Sequence, residues 1–510
     1  MITVRDMRII EDNAEELGLP KIRLMENAGR GAADAIIDYL QQKKEKAEGK
    51  KVLVFAGLGN NGGDGFVVLR HLTQFGMIGT VFLLGTKDKL RTTDARSNFR
   101  ILEDMIFNVK IKEIKDSSEL KKLKDEINSA DIIIDAMLGT GLRGDLRDPY
   151  ATAVDLINNS KKLVVAIDTP TGLNPDTGEI HGTAVKATFT VTFHDIKPGL
   201  VDRKVYTGDV IIKKIGVPPE AAIIVGKGDV REAFRPRKPE SHKGDFGRLI
   251  VIGGGKYFTG APAIAALAAY KLGTDLVTVI TPEYVENTIR SYSPTLIVRG
   301  YPGEVLNKNV FKVLDEYIDT VDAVVLGPGT GRDEQIVSFL PELLQYLKDS
   351  GKPVVIDADP LRILAKNKEL FPWKQAILTP HQGEFKSLLP EGTEVPKGLE
   401  EKMKLVSKTA KDLGVTIVLK GRYDIISDGD KIKINRTGNP GMTVGGTGDS
   451  LCGLIGGLLA NKKDRFLAAC VGAYINGLAG DLAVSELGYH LTPIDVVERI
   501  PTAIEKTLRM

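Results

Sequence analysis

Two glycine-rich loops, far apart in the chain, each run through an aspartate into an apolar segment. G-N-P-G-M-T-V-G-G-T-G-D (438–449) leads into S-L-C-G-L-I-G-G-L-L-A, and G-L-G-N-N-G-G-D-G (57–65) leads into F-V-V-L-R-H-L. Glycine permits positive φ and close approach of the backbone, and free N–H groups at a helix start attract anions. Such a loop can cradle a phosphate or form a tight turn. The aspartate likewise has two uses. It can cap the helix, or it can accept a proton from a hydroxyl attacking a phosphoryl group steadied by the Gly445–Gly448 turn.

Oxygen-bearing residues recur at other apolar runs. D-I-I-I-D-A-M-L-G-T-G-L-R-G-D places Asp135 before a further glycine-rich loop, and V-A-I-D-T-P-T-G-L-N contributes Asp168 and Thr171. Asn, Asp and carbonyl oxygens converging from several loops suit a hard cation, and two carboxylates within reach can move protons. R-L-I-V-I-G-G-G-K-Y lacks the Walker pattern, since Tyr257 and not Ser or Thr follows Lys256.

These residues need elements to hold them. Residues 3–40 read as two amphipathic helices, with Leu24, Ala28, Ala32, Ala35 and Tyr39 at helical spacing. Short β-branched runs follow at 51–57, 80–85, 131–136, 162–168 and 189–193, alternating with helical segments. A second series has runs at 248–252, 275–280, 322–326, 353–357, 375–379 and 416–420. Alternation of this kind predicts an α/β fold with a buried, largely parallel sheet flanked by helices. In open sheets of this class, ligands bind beyond the carboxyl ends of the strands, where the polar residues above fall. The boundary between the series lies within 216–240, in and before a charged, proline-containing stretch, and the differing glycine motifs indicate a fusion of unlike domains.

Composition removes several function classes. The chain has 510 residues and a formal charge of +2, from 69 basic and 67 acidic side chains, so no overall field favours nucleic acid or anionic membrane. Cys452 and Cys470 are too few for a disulfide framework, and six scattered histidines lack zinc spacing, so a reducing, cytoplasmic location is expected. The charged start does not read as a signal peptide. The apolar stretches at 451–460 and 466–484 are short or interrupted by Gly, Asn476 and Asp481, below the roughly 20 residues of a membrane span, and are expected to be buried helices of a soluble protein. A symmetric homo-oligomer is expected, without a stoichiometry.

N-N-G-G-D-G, G-T-G-L-R-G-D and D-T-P-T-G-L-N, in this order, resemble the NAD(P)H-hydrate epimerase family, or YjeF N-terminal domain, over residues 1–220. The resemblance implies a Rossmann-like three-layer sandwich with potassium held near Asn61, Asp135 and Thr171. Substrate contacts would come from Asn60, Asn61, Gly62, Gly63 and Asp64 in one loop. A second loop would supply Gly139, Thr140, Gly141, Leu142, Arg143, Gly144 and Asp145, joined by Tyr150 and Asp168. Asp168 would transfer protons. Lys197 is a candidate partner, although a surface lysine is the commoner reading.

Over residues 226–510, G-P-G-T-G, D-A-D-P-L, T-P-H-Q-G-E-F, L-K-G and the loop ending at Asp449 resemble ribokinase-like enzymes, and within them the NAD(P)H-hydrate dehydratase family. The implied domain is a second three-layer sandwich. Ala261, Gly329, His381 and Asp449 would face the hydrate. Lys420, Gly421, Arg422, Tyr423, Asp424 and Gly448 would hold ADP with magnesium. Asp424 departs from the usual small hydroxyl residue, and Thr274-Asp275 replaces an Ala-Gly pair. Together the resemblances imply repair of hydrated NADH and NADPH: the epimerase exchanges the R and S forms, and the dehydratase phosphorylates the S form so that phosphate, unlike hydroxide, leaves readily. A kinase of a small hydroxylated metabolite, with a non-catalytic first domain, is the alternative.

Overall fold

The computed structural model describes residues 1–139, 141, 144–234 and 236–509. The chain divides into two compact units, Met1–Pro219 and Glu220–Met510.

In the first unit seven parallel strands form one sheet in the order β3-β2-β1-β4-β5-β6-β7. They are β1 (Lys51–Ala56), β2 (Ile78–Leu84), β3 (Val109–Ile114), β4 (Ile132–Ala136), β5 (Leu163–Ile167), β6 (Phe189–Phe193) and β7 (Asp209–Lys213). β1, β4 and β6 are buried almost throughout, as a central parallel sheet covered on both faces requires. The two expected leading helices are Val4–Glu16, capped by the Thr3 hydroxyl, and Lys21–Gln42. β3 and β7 were not among the expected strands. Their lysines and half-exposed positions are those of strands at the sheet margins, which hide less surface and leave a weaker apolar pattern.

The strand order reverses between β1 and β4, the switch point at which doubly wound sheets open a crevice. There the loops nearly touch: a Cβ on Gly57 would stand 1.8 Å from the Met137 carbonyl oxygen. Only glycine allows that approach.

The second unit carries a nine-stranded mixed sheet in the order β10-β9-β8-β11-β12-β13-β14-β15-β16. Its strands are β8 (Arg248–Ile252), β9 (Leu276–Pro282), β10 (Ile297–Tyr301), β11 (Ala323–Leu326), β12 (Val354–Ile356), β13 (Ala376–Leu378), β14 (Thr416–Leu419), β15 (Asp424–Ser427) and β16 (Ile432–Asn435). The six expected strands are present. β10, β15 and β16 are additional, the last two pairing antiparallel at one edge.

Two apolar helices, Gly260–Leu272 and Thr447–Ala460, pack backbone to backbone, since a Cβ on Gly453 would meet the Ala265 carbonyl oxygen at 2.1 Å. The helix Arg465–Leu487 corrects the expectation from its interrupted apolar run. It continues through Gly477, Asn476 and Gly480 for 23 residues, long and apolar enough to cross a membrane by length and composition. In the structure 78% of its most apolar segment is buried, and its residues belong to the core of this unit.

Candidate functional site

A cleft of about 350 Å³ opens at the β1/β4 switch point of the first unit. Glu11, Asn60, Asn61, Asp64, Gly139, Gly141, Tyr150, Asp168 and Lys197 line it. Asp168 follows β5 with φ 62°, a left-handed conformation uncommon outside glycine and characteristic of functional sites. Its Oδ1 accepts hydrogen bonds from Lys197 Nζ at 2.5 Å and Thr192 Oγ1 at 3.2 Å. The Lys197 ammonium also donates to Thr192 Oγ1 and the Phe193 carbonyl. At 1% exposure, Lys197 is not the surface lysine of the commoner reading. It is a buried cation committed to the Asp168 carboxylate by a charge-assisted hydrogen bond.

Other carboxyls in the cleft behave differently. Burial pushes Glu11 up to about 7, with Lys21 opposing and Asp168 adding to the rise. Burial, then Asp168 and Glu11, likewise holds Asp64 well above the usual carboxylate range. Asp135 is fully buried and raised to about 6 by burial, against hydrogen bonds from Thr171 Oγ1 (2.6 Å), Thr171 N (2.7 Å) and Met137 N (3.3 Å). Nearby, both amide atoms of Asn61 are buried without a hydrogen-bond partner among the described residues. The orphaned amide oxygen of Asn61 is a hard oxygen donor left available to a cation.

Not every expected contact in the first unit lies on the cleft. Gly62 and Gly63 pack the first turn of the helix Asn60–Thr73 against Gly57 and Met25, while Gly144 and Asp145 lie on an exposed loop. Thr140, Leu142 and Arg143 fall outside the described residues.

In the second unit, residues from five motifs converge beyond β8, β11, β12, β13 and β14. The glycine loop enters the helix Thr447–Ala460 through Gly446, at φ 106°, and Asp449 occupies its first turn. The cap position is glycine, and the Asp449 side chain makes no hydrogen bond among the described residues, so Asp449 does not cap the helix, although it stands in the first turn where the dipole favours a carboxylate. Burial raises Asp449 to about 7, Asp357 adding to the rise and Lys420 opposing it. A Cβ on Gly448 would lie 3.5 Å from Lys420 Nζ and 3.8 Å from Asp357 Oδ2. Lys420 Nζ donates to Asp357 Oδ1 at 2.8 Å, and that oxygen also accepts from Thr379 Oγ1 at 2.8 Å.

His381 pairs alongside Lys420 in a parallel bridge and caps the helix Gln382–Leu388. Its Nδ1 accepts from Gly383 N (2.9 Å) and Glu384 N (3.2 Å), which leaves the ring proton on Nε2. The ring is therefore both a structural cap and a donor. Ala261 and Gly329 adjoin each other, a Cβ on Gly329 lying 3.2 Å from that of Ala261.

Lys420, Gly421, Arg422 and Tyr423 line a cleft of about 310 Å³ with Gln382, Lys397 and Lys402. Asp424 does not line it. Its carboxylate accepts from Gly421 N (3.1 Å) and Asn435 Nδ2 (3.0 Å), tying the loop to β16. Asp275 accepts from Gly244 N and Phe246 N and so fixes a turn, consistent with a packing role for the Thr274-Asp275 pair.

Sequence reasoning overlooked Glu11, Lys397 and Lys402. Glu11 carried a signal, a carboxyl on the inward stripe with Met7 and Ala14. Lys397 and Lys402 carried none, because they belong to no glycine motif.

Residues 249–502 match the family described as NAD(P)H-hydrate dehydratase, and residues 21–199 match that described as YjeF-related protein N-terminus. The chain is 44% identical to the bifunctional NAD(P)H-hydrate repair enzyme Nnr of Archaeoglobus fulgidus, over 99% of this chain and 98% of the relative. The enzyme of that name from Pyrobaculum aerophilum is 42% identical over the same shares. A solved ADP/ATP-dependent NAD(P)H-hydrate dehydratase from Bacillus subtilis, co-crystallised with ATP and Mg2+, is 27% identical. It covers 56% of this chain and 98% of its own, with a TM-score of 0.47. With both domain types present and relatives matching from end to end, the chain belongs to the family of bifunctional NAD(P)H-hydrate repair enzymes, an epimerase domain joined to a dehydratase domain.

Proposed function

We propose that the first cleft exchanges the R and S forms of hydrated NADH and NADPH, and that the second site returns the S form to the reduced cofactor using ADP, releasing AMP and phosphate. The observation that carries the reading is the pair of differently held aspartates. Asp168 is bound by buried Lys197, whereas Asp449 has no hydrogen bond among the described residues and stands beside a lysine and a glycine-rich turn.

In the first cleft Asn60, Asn61, Asp64, Gly139, Gly141 and Tyr150 hold the hydrated nucleotide, with Gly62 and Gly63 shaping the helix start and Gly144 and Asp145 the outer loop. Asp168 accepts or returns the proton of the ring hydroxyl or attacking water. Asn61, Asp135 and Thr171 would hold potassium, which supplies a fixed positive charge at the loop ends when bound.

In the second site Ala261, Gly329 and His381 seat the hydrate, and Asp449 takes the proton of its hydroxyl as that oxygen attacks the terminal phosphoryl group. The N–H groups of the Gly445–Gly448 turn and the Lys420 ammonium meet the phosphoryl charge. Gly421, Arg422 and Tyr423 hold the nucleotide, with Asp424 shaping their loop. The buried carboxylates of Asp357 and Glu384, both acting on Lys420, are hard oxygen donors that suit magnesium, whose charge offsets that of the phosphates. Phosphate then leaves, the neighbouring ring carbon gives up its proton to the departing phosphate or to water, and the ring double bond re-forms. Free, buried Cys452 and Cys470 fit a reducing cytosol.

Absorbance at the reduced-nicotinamide band tests both halves. Mixed epimers of hydrated NADH are given enzyme, potassium, magnesium and either ADP or ATP. Full recovery is expected, with nucleotide consumed. Recovery of the S fraction alone would remove the epimerase, and a stable phosphorylated product would point to a metabolite kinase.

A further inference from the structure

The scheme above uses Asp168 and Lys197 and leaves a third carboxyl of the same cleft without a task. Glu11 lies on the inward stripe of the helix Val4–Glu16, one turn from the buried Met7 and three residues before the buried Ala14. Met7 and Glu11 line the cleft together with Asp64, Asp168 and Lys197. A core-facing stripe is an unfavourable place for a carboxyl unless it is paired or keeps its proton. Among the described residues Glu11 has no hydrogen bond and no ion pair. The nearest candidate cation, Lys21, is instead 2.5 Å from Asp12.

We propose that Glu11 is the second proton-transfer residue of the epimerase site, acting with Asp168 on the hydrated ring. The proposal rests on the reading of this cleft as the epimerase site. Epimer exchange at the hydroxyl-bearing carbon needs one C–O bond broken on one face and another made on the opposite face. As the first breaks, the Glu11 proton passes to the departing oxygen, water is released, and the ring-nitrogen lone pair forms a C=N bond. Water then adds to the same carbon from the other face, and the electron pair returns to nitrogen. The surplus proton goes to the Asp168 carboxylate, which the Lys197 ammonium holds in place. The reverse passage exchanges the two roles, and water is the only co-reactant.

A lone carboxylate cannot provide both steps at once. An unpaired carboxyl that holds its proton near neutrality, beside one bound to an ammonium, is the division of labour the chemistry asks for. Burial, opposed by Lys21 and reinforced by Asp168, places Glu11 at about 7. Asp12, Lys21, Asp64, Asp168 and Lys197 all act on Glu11 or its neighbours, and Arg91 and Asp94 line the same cleft. Glu11 and Asp64 therefore titrate as a coupled group.

The test follows one purified epimer of hydrated NADH with the full chain, potassium and no nucleotide, resolving the two forms chromatographically. Glu11→Gln is expected to lower kcat by roughly 10²- to 10⁴-fold with little change in KM. It should also abolish the fall in rate above pH about 7 that loss of the acid proton imposes on the unmodified chain. Glu11→Asp should recover part of the rate. An unchanged rate or an unchanged pH profile in Glu11→Gln overturns the proposal. Should that variant fail to fold, Asp64→Asn decides: an alkaline limb that survives supports Glu11, and one that vanishes assigns the acid to Asp64. No exchange by the unmodified chain would instead overturn the reading of the cleft itself.

Discussion

Both domains set a lysine against an aspartate at the strand ends, but they use the pair differently. In the first, Lys197 binds Asp168, the residue proposed to move protons. In the second, Lys420 binds Asp357, and the proposed base Asp449 is left alone in a buried position. A reversible exchange needs an acid and a base to coexist, and the cleft sets one carboxylate against an ammonium while burial raises the proton affinity of Glu11 and Asp64. A one-way phosphoryl transfer needs only a base, whose proton affinity rises with burial. The same two residue types thus tune two chemistries, according to which aspartate the lysine holds.

Crossed substitutions attack the comparison hardest. Asp449→Asn should cut dehydration by roughly 10²- to 10⁴-fold and leave epimer exchange intact, whereas Asp168→Asn should do the reverse. Asparagine tolerates the left-handed conformation at 168, so that change isolates the charge. Chromatography of epimers and recovery of the reduced-nicotinamide absorbance read the two activities separately. Loss of both in either variant would break the division.

The pH profile sharpens it. The Asp449 carboxyl must be ionised to act as a base, and burial first, then Asp357, raise it to about 7. Dehydration at saturating hydrate should therefore climb about tenfold per pH unit below that value and level off above it. Epimer exchange should show the opposite alkaline trend, so coincident profiles would contradict the assignment.

Lys197→Met gives the smallest effect on rate that still discriminates, and a larger one on stability. Breaking a buried ion pair from one side costs roughly 3–5 kcal/mol, because the remaining charge loses its partner. A lowered denaturant midpoint for the first domain is expected, with slowed epimer exchange. Unchanged stability would show that Asp168 does not depend on the lysine.

Much of this was legible in the sequence. Glycine loops, strand-end aspartates and apolar runs are local patterns, and they announced the central strands and the aspartates at 135, 168 and 449; most of the remaining site residues came from the family resemblance. The margins β3, β7, β10, β15 and β16 were not legible, because partly exposed edges need no continuous apolar run. Lys197 defeated local reading for another reason. A lysine's burial depends on what lies around it in space, and the Asp168 that neutralises it stands 29 residues away. Asp424 shows the converse: its position suggested a nucleotide contact, but Asn435, on a strand the sequence pattern did not reveal, claims the carboxylate.

The contact between Gly453 and the Ala265 carbonyl has a mechanical meaning. Of the two helices joined there, one carries Ala261 at its start and the other carries Gly448 and Asp449. With no side chain between them to act as a cushion, a tilt of either transmits to the other, and the proposed seat for the hydrate and the proposed base ride on a single stiff frame. The spacing between Ala261 and Asp449 is thereby set by backbone packing and not by side chains that can change rotamer.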